Sequence, residues 1–162
     1  MTARNGSAEW HGYVQDGAGT VTVGNGVFQG AYSYGSRFGE EEGTNPEQLI
    51  AAAHAACFTM ALSNILSAAG HPPESLRTNA RVQLRNIGGA PTLARIDLDV
   101  EGQVANVDQQ QFQAYADEAK RACPVSRALA GIPEIALTAK LAETGDGRRR
   151  SPGVQKSGVR DS

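Results

Sequence analysis

Cys57 and Cys123, the two cysteines of the chain, stand 66 positions apart and are the residues best suited by type to nucleophilic or redox chemistry. A thiolate attacks electrophilic oxygen or sulfur, and a second thiol within reach can close a disulfide on the product. Reducing compartments do not maintain structural disulfides, so a pair kept in the cytosol is not expected to be a staple. With two thiols and no CxxC spacing, a four-cysteine zinc site is excluded within one chain. The residues alone leave two readings open: two inert core thiols, or one working pair. His54 and Cys57 stand i, i+3 on one helical face and could share a metal, but a third ligand is missing, so no metal and no cofactor are expected. Ser126 follows the CPV run with no base near it in sequence, and is expected to support a short helix there.

Several elements must position these residues. Residues 8–14 alternate around Trp10, 20–23 are β-branched, and 27–34 complete a run of three antiparallel strands. Residues 35–43, rich in Gly and Glu, are expected to form a loop carrying Ser36, Arg37 and Phe38. Asn45 suits a helix N-cap, Pro46 the first helical position, and Gln48 the matching place in a capping box. From there Leu49, Ala53, Ala56, Cys57 and Met60 keep a near-helical period to about Ala69, where Gly70 and Pro72 stop it. That is about 24 residues, or about 36 Å of helix, and its small, apolar first half is expected to be buried on several sides.

Ser75 to Ile87 alternates as a strand, and residues 92–104 return antiparallel to it. A second helix spans residues 108–122, and Pro124 must break it after Cys123 so that a short new helix begins. Residues 135–141 form the last strand. The order gives an α+β fold in a single domain over residues 1–143.

Residues 144–162 carry five basic and two acidic side chains, a local +3 against −2 for the whole chain, and read as a solvated basic tail. The remaining body is acidic, which argues against a nucleic-acid partner. No apolar run approaches the roughly 20 residues that cross a bilayer, and MTARNGSAEW lacks a signal-peptide core. A cytoplasmic protein without a membrane partner is expected.

Two segments carry a resemblance. SRFGEEEGTNPEQLIAAAHAACFTMALS (residues 36–63) and ACPVSRAL (residues 122–129) closely resemble the osmotically inducible protein C (OsmC) family, sister to the organic hydroperoxide resistance proteins, and the order of elements matches from about residue 8 to 141. The resemblance implies a thiol-dependent peroxidase acting on organic hydroperoxides, an intertwined homodimer, a peroxidatic Cys57 and a resolving Cys123. It also implies a site arginine and glutamate, which fall on Arg37 and Glu47. A dithiol reductant would reopen the disulfide. The alternative is a redox-sensing or small-molecule-binding dimer of the same fold that lacks fast turnover.

Local physics favours the other cysteine as nucleophile. Cys123 precedes a helix start, where backbone N–H groups stabilise a thiolate by about 0.3–1 kcal/mol, whereas burial alone would make Cys57 less acidic. Making a thiol a hundredfold more acidic takes about 2.7 kcal/mol, which a guanidinium in a low-dielectric site can supply. Cys57 therefore serves as nucleophile only if Arg37 reaches it, with Glu47 orienting the arginine and the arginine also stabilising the departing alkoxide. Apolar neighbours of Cys57 (Phe58, Met60, Leu62) would favour bulky hydroperoxides. Spacing adds a constraint of its own. Glu47 and Cys57 lie about 15 Å apart along one helix, too far for one arginine to touch both. An antiparallel crossing of two copies near Ala52, through Ala51, Ala53, Ala55 and Ala56, would bring Glu47 of one copy opposite Cys57 of the other.

Overall fold

Three short alternating segments build the first sheet: β1 (Gly6–His11), β2 (Ala18–Val23) and β3 (Phe28–Ser33) pair antiparallel in that order. The computed structural model describes residues 2–142, so the basic segment 144–162 lies outside the described residues. Trp10 packs on Tyr32 with ring centroids 5.2 Å apart, and the Tyr32 hydroxyl donates to the Glu9 carbonyl at 3.2 Å. Gly19 sits opposite Trp10, where a Cβ would strike both the Tyr32 ring and that carbonyl. Within the three strands Gly19 alone is buried. A sheet of this size with so little burial is marginal by itself.

Where a loop was expected, β3 runs straight into a short helix, α1 (Tyr34–Phe38). Ser33 Oγ accepts from Ser36 N–H at 3.0 Å, and Ser36 Oγ accepts from Ser33 N–H at 2.8 Å, a reciprocal cap. Tyr34 and Phe38, i and i+4, close on each other at 4.9 Å. Ser36 Oγ also donates to the Thr44 carbonyl at 2.8 Å, which folds the Glu-rich residues 39–43 back toward α1.

Helix α2 (Pro46–Ala68) takes the Asn45 half of the expected capping box: Asn45 Oδ1 accepts from Gln48 N–H at 2.8 Å, and Asn45 Nδ2 donates to the Ser36 carbonyl at 2.9 Å. Gly70, at φ 83°, turns the chain away at its end. His54, Phe58, Leu62 and Leu66 recur every four residues and form its buried row. Ala52, Ala53 and Ala56 are exposed on the other side, as is Met60, so one face is buried rather than several. By length and composition this helix is apolar enough to cross a bilayer, contrary to the sequence reading. In the fold it instead lies along the second sheet.

That sheet comprises β4 (Ser75–Ile87), β5 (Ala90–Gln103) and β6 (Glu134–Leu141), with β5 central. Gly88 and Gly89, at φ 63° and 87°, make the tight turn between β4 and β5. β6 runs parallel to β5, so the chain must cross over, and it does so through α3 (Gln109–Ala122) and α4 (Pro124–Ala128). Asp108 and Gln111 cap α3 reciprocally. Ile96, Leu98 and Val100 point to the helices and meet Phe58, Leu62, Leu66, Phe112, Ala116 and Ala119 in one core. Arg95, Asp97 and Asp99 alternate to the other face.

Candidate active site

Cys57 lies on the flank of α2, half-buried between the core row and the exposed alanines. Cys123 is fully buried where α3 gives way to α4. Pro124 cannot continue α3 but suits the first position of a new helix, so the bend falls on Cys123. Its sulfur takes the place that a Ser or Asp oxygen fills in an ordinary N-cap, accepting from Ser126 N–H at 3.5 Å. Because α4 packs on α2, the thiols of Cys57 and Cys123 lie close enough to act on each other's acidity, and Val125 N–H makes both more acidic. No disulfide joins them here.

Their acidities diverge. Burial pushes the Cys57 thiol up, Val125 N–H pulls it down, and its neighbour Cys123 pushes it up again, for a net rise. Burial also pushes Cys123 up, but Ser126 N–H, the Cys57 thiol and the Ser126 hydroxyl outweigh it, for a net fall. Within one chain, Cys123 is the more acidic thiol, as its place before Pro124 suggested.

Arg37 and Glu47 form the second pair. Arg37 Nη2 donates to Glu47 Oε1 at 2.8 Å, and Nε lies 3.2 and 3.3 Å from the two carboxylate oxygens. α1 presents the arginine and the first turn of α2 presents the glutamate, tied together by the Asn45–Ser36 bond. The Arg37 side chain is 37% exposed and Glu47 11%, so the carboxylate is the fixed member. Arg37 also lies over the Phe38 ring, 5.1 Å from its centroid. It is not among the groups acting on Cys57 of its own chain. The four residues thus gather as two separate pairs, at two places on α2.

The apolar surroundings expected of Cys57 differ from those found. Phe58 and Leu62 turn into the core, a consequence of their i, i+4 spacing with His54, while Met60 is 74% exposed on the opposite side. An apolar concavity lies beside Arg37 instead: a groove of about 540 Å³ lined by Trp10, Tyr13, Tyr32, Tyr34 and Phe38. These residues are spread over 29 positions of sequence and share no period, so nothing in the sequence joined them. One further contact was not legible. His54, fully buried, places Nε2 2.7 Å from Ser126 Oγ, supplying Ser126 with the imidazole that its local sequence lacks.

The family described as OsmC-like protein matches residues 39–138, which include α2, both cysteines and Glu47. The chain belongs to the OsmC-like family. It is similar to the protein named peroxiredoxin OsmC of Escherichia coli K12, 42% identical over 139 residues that cover 85% of this chain and 96% of that one. The organic hydroperoxide resistance protein-like 1 of Staphylococcus saprophyticus is 34% identical over 107 residues, 64% of this chain and 73% of the relative. Among solved structures, an organic hydroperoxide resistance protein from Elizabethkingia anophelis superposes with a TM-score of 0.71 at 27% identity, over 87% of this chain and 99% of that one. The OhrB protein of Bacillus subtilis shares the fold at a TM-score of 0.65, covering 85% of this chain and 98% of its own. The α+β architecture read from the sequence is therefore that of OsmC-like and organic hydroperoxide resistance proteins.

Proposed function

We propose that this OsmC-like chain is a cysteine-based peroxidase that reduces organic hydroperoxides, with Cys57 peroxidatic and Cys123 resolving. The proximity of the two thiols, brought together from 66 positions apart by the packing of α4 on α2, carries the reading. The Cys57 thiolate attacks the terminal peroxide oxygen, the O–O bond breaks, and the alkoxide leaves and takes a proton to become an alcohol. Cys57 is oxidised to the sulfenic acid by two electrons. Cys123 then attacks that sulfur, forming the disulfide and releasing hydroxide, which leaves as water once protonated. A dithiol reductant returns both residues to thiols by exchange.

Within one chain Cys57 is the less acidic thiol, so its role requires a cation that the described residues of its own chain do not deliver to it. Arg37 of a second copy supplies that cation. The exposed row of Ala52, Ala53, Ala56 and Met60 on α2, and the sparsely covered first sheet, are surfaces suited to that copy. Small residues let two helices approach closely, and an antiparallel crossing near Ala52 sets the Arg37–Glu47 pair of one copy beside Cys57 of the other. The aromatic groove beside Arg37 then faces the reacting sulfur and receives the organic part of the hydroperoxide. The name peroxiredoxin OsmC carried by the Escherichia coli relative, over most of both chains, supports the same chemistry.

Mass spectrometry after one equivalent of cumene hydroperoxide tests the assignment. The parent chain is expected to yield a Cys57–Cys123 disulfide, and Cys123→Ser an oxidised Cys57 without one. Oxidation of Cys123 first, in a Cys57→Ser chain as fast as in the parent, would reverse the roles.

A further inference from the structure

His54 and Ser126 are buried beside the cysteines, at 0% and 7% exposure, and the peroxidase cycle above uses neither. Two contacts meet at the Ser126 oxygen. His54 Nε2 lies 2.7 Å from it, and the hydroxyl sits beside the Cys123 sulfur, which accepts from the Ser126 backbone N–H at 3.5 Å and is made more acidic by the Ser126 side chain. A hydroxyl has one proton to give. Either His54 accepts that proton and Ser126 accepts in turn from the Cys123 S–H, or the imidazole donates to Ser126 and Ser126 donates to the sulfur. Only the second direction serves a Cys123 thiolate, which has no proton to give.

The other imidazole nitrogen favours the second direction. His54 Nδ1 is buried with no hydrogen-bond partner among the described residues. With the proton on Nε2, the orphan is a lone pair; with the proton on Nδ1, it is a buried N–H, and in the imidazolium it is a buried charged N–H. Burial also lowers the His54 pKa, keeping the ring neutral.

We propose that His54 and Ser126 are positioning residues for disulfide formation: His54 donates Nε2–H to Ser126, which turns the serine hydroxyl onto Cys123 and holds that sulfur as the poised resolving nucleophile. This rests on the peroxidase reading for its meaning in turnover. Chemically, the hydroxyl stabilises the Cys123 thiolate before it attacks the Cys57 sulfenic acid, and it aims the sulfur at its target. A more stabilised thiolate is somewhat less nucleophilic, but this loss is smaller than the gain in thiolate population near neutral pH. Faster resolution leaves less time for a second peroxide to carry Cys57 to the sulfinic acid. Cys123 is faced by the Cys57 thiol from α2 and by Ser126 and Val125 N–H from α4. Of the basic residues nearby, Lys120 is spent on the Ile135 carbonyl at 2.6 Å, and Arg121 and Arg127 are exposed.

The test titrates Cys123 by thiolate ultraviolet absorbance in a Cys57→Ser chain, which needs no peroxide, reductant or turnover. A failed peroxidase reading therefore leaves this result interpretable. Ser126→Ala is expected to make Cys123 about tenfold less acidic, the effect of one hydrogen bond to a charged sulfur. His54→Phe should do the same, and His54→Gln, whose amide N–H can stand in for Nε2–H, should restore most of the parent value. In chains with both cysteines, repeated peroxide pulses should give severalfold more sulfinic Cys57 in Ser126→Ala than in the parent. An unmoved midpoint in Ser126→Ala, a His54→Gln chain that titrates like His54→Phe, or unchanged sulfinic yield would each overturn the proposal. Should His54→Phe fail to fold, Ser126→Ala and His54→Gln decide it.

Discussion

Arg37 Nη2 lies 2.8 Å from Glu47 Oε1 at the start of the same helix that carries Cys57 ten residues further on. Ten residues of helix are about 15 Å, so a guanidinium held by Glu47 is out of reach of that thiol. Complementation between copies follows. Arg37→Ala and Cys57→Ser should each be inactive as pure proteins. Unfolded and refolded together, a random mixture should recover about a quarter of parental peroxidase activity, since half the dimers carry one complete site of two. No recovery beyond the sum of the separate proteins would place Arg37 and Cys57 in the same chain's site.

Glu47 fixes the arginine by a charge-assisted pair in which it is the better-buried partner. Glu47→Gln keeps the shape and a neutral acceptor but loses the charge. The rate of Cys57 oxidation by cumene hydroperoxide should fall about tenfold, the equivalent of about 1.4 kcal/mol. Stability should hardly change, because an ion pair with an arginine this exposed contributes little to folding. Stopped-flow kinetics alongside a melting curve separates the two effects.

Most of the fold was legible because its signals are local. Asn45, Pro46 and Gln48 mark the start of α2, and alternation marks β4 to the residue. Helix α1 was missed because its stabilising bonds run between Ser33 and Ser36, small polar residues that also populate loops. The site was legible in part. A motif points to Cys57, Cys123, Arg37 and Glu47, but not to their grouping into two pairs on α2. The His54–Ser126 contact spans 72 positions and depends on the packing of α4 on α2, which no local pattern encodes. Phe58 and Leu62 were placed around the thiol on nearness in sequence, whereas helical phase sends them to the core.

The exposed small-residue row of α2 gives a prediction about assembly. Ala56→Glu adds a carboxylate at an exposed position of the single chain, so the fold should tolerate it, with circular dichroism unchanged. At a close helix–helix contact the same carboxylate is buried unpaired and should drive the copies apart. Light scattering should then report monomers, and peroxidase activity should fall with the dimer population. A variant that stays dimeric and fully active would remove this face of α2 from the interface.

Acid stability should depend on the outward face of the second sheet. Arg95 donates to Asp97 at 2.6 Å and thereby holds its carboxyl below the usual carboxylate range; burial opposes this, while Gln83 and Arg81 reinforce it. Because the folded state favours the charged form, the unfolded chain binds this proton first as pH falls. The stabilisation is present in full above the ordinary carboxylate pKa and is lost as pH drops through the lower folded value. Asp97→Asn removes that proton-linked contribution. Its melting temperature should lie below the parent's at neutral pH, and the difference should shrink as pH falls into the acid range. A gap that stays constant through the acid range would mean that Asp97 acts through packing or neutral hydrogen bonds, not through its charge.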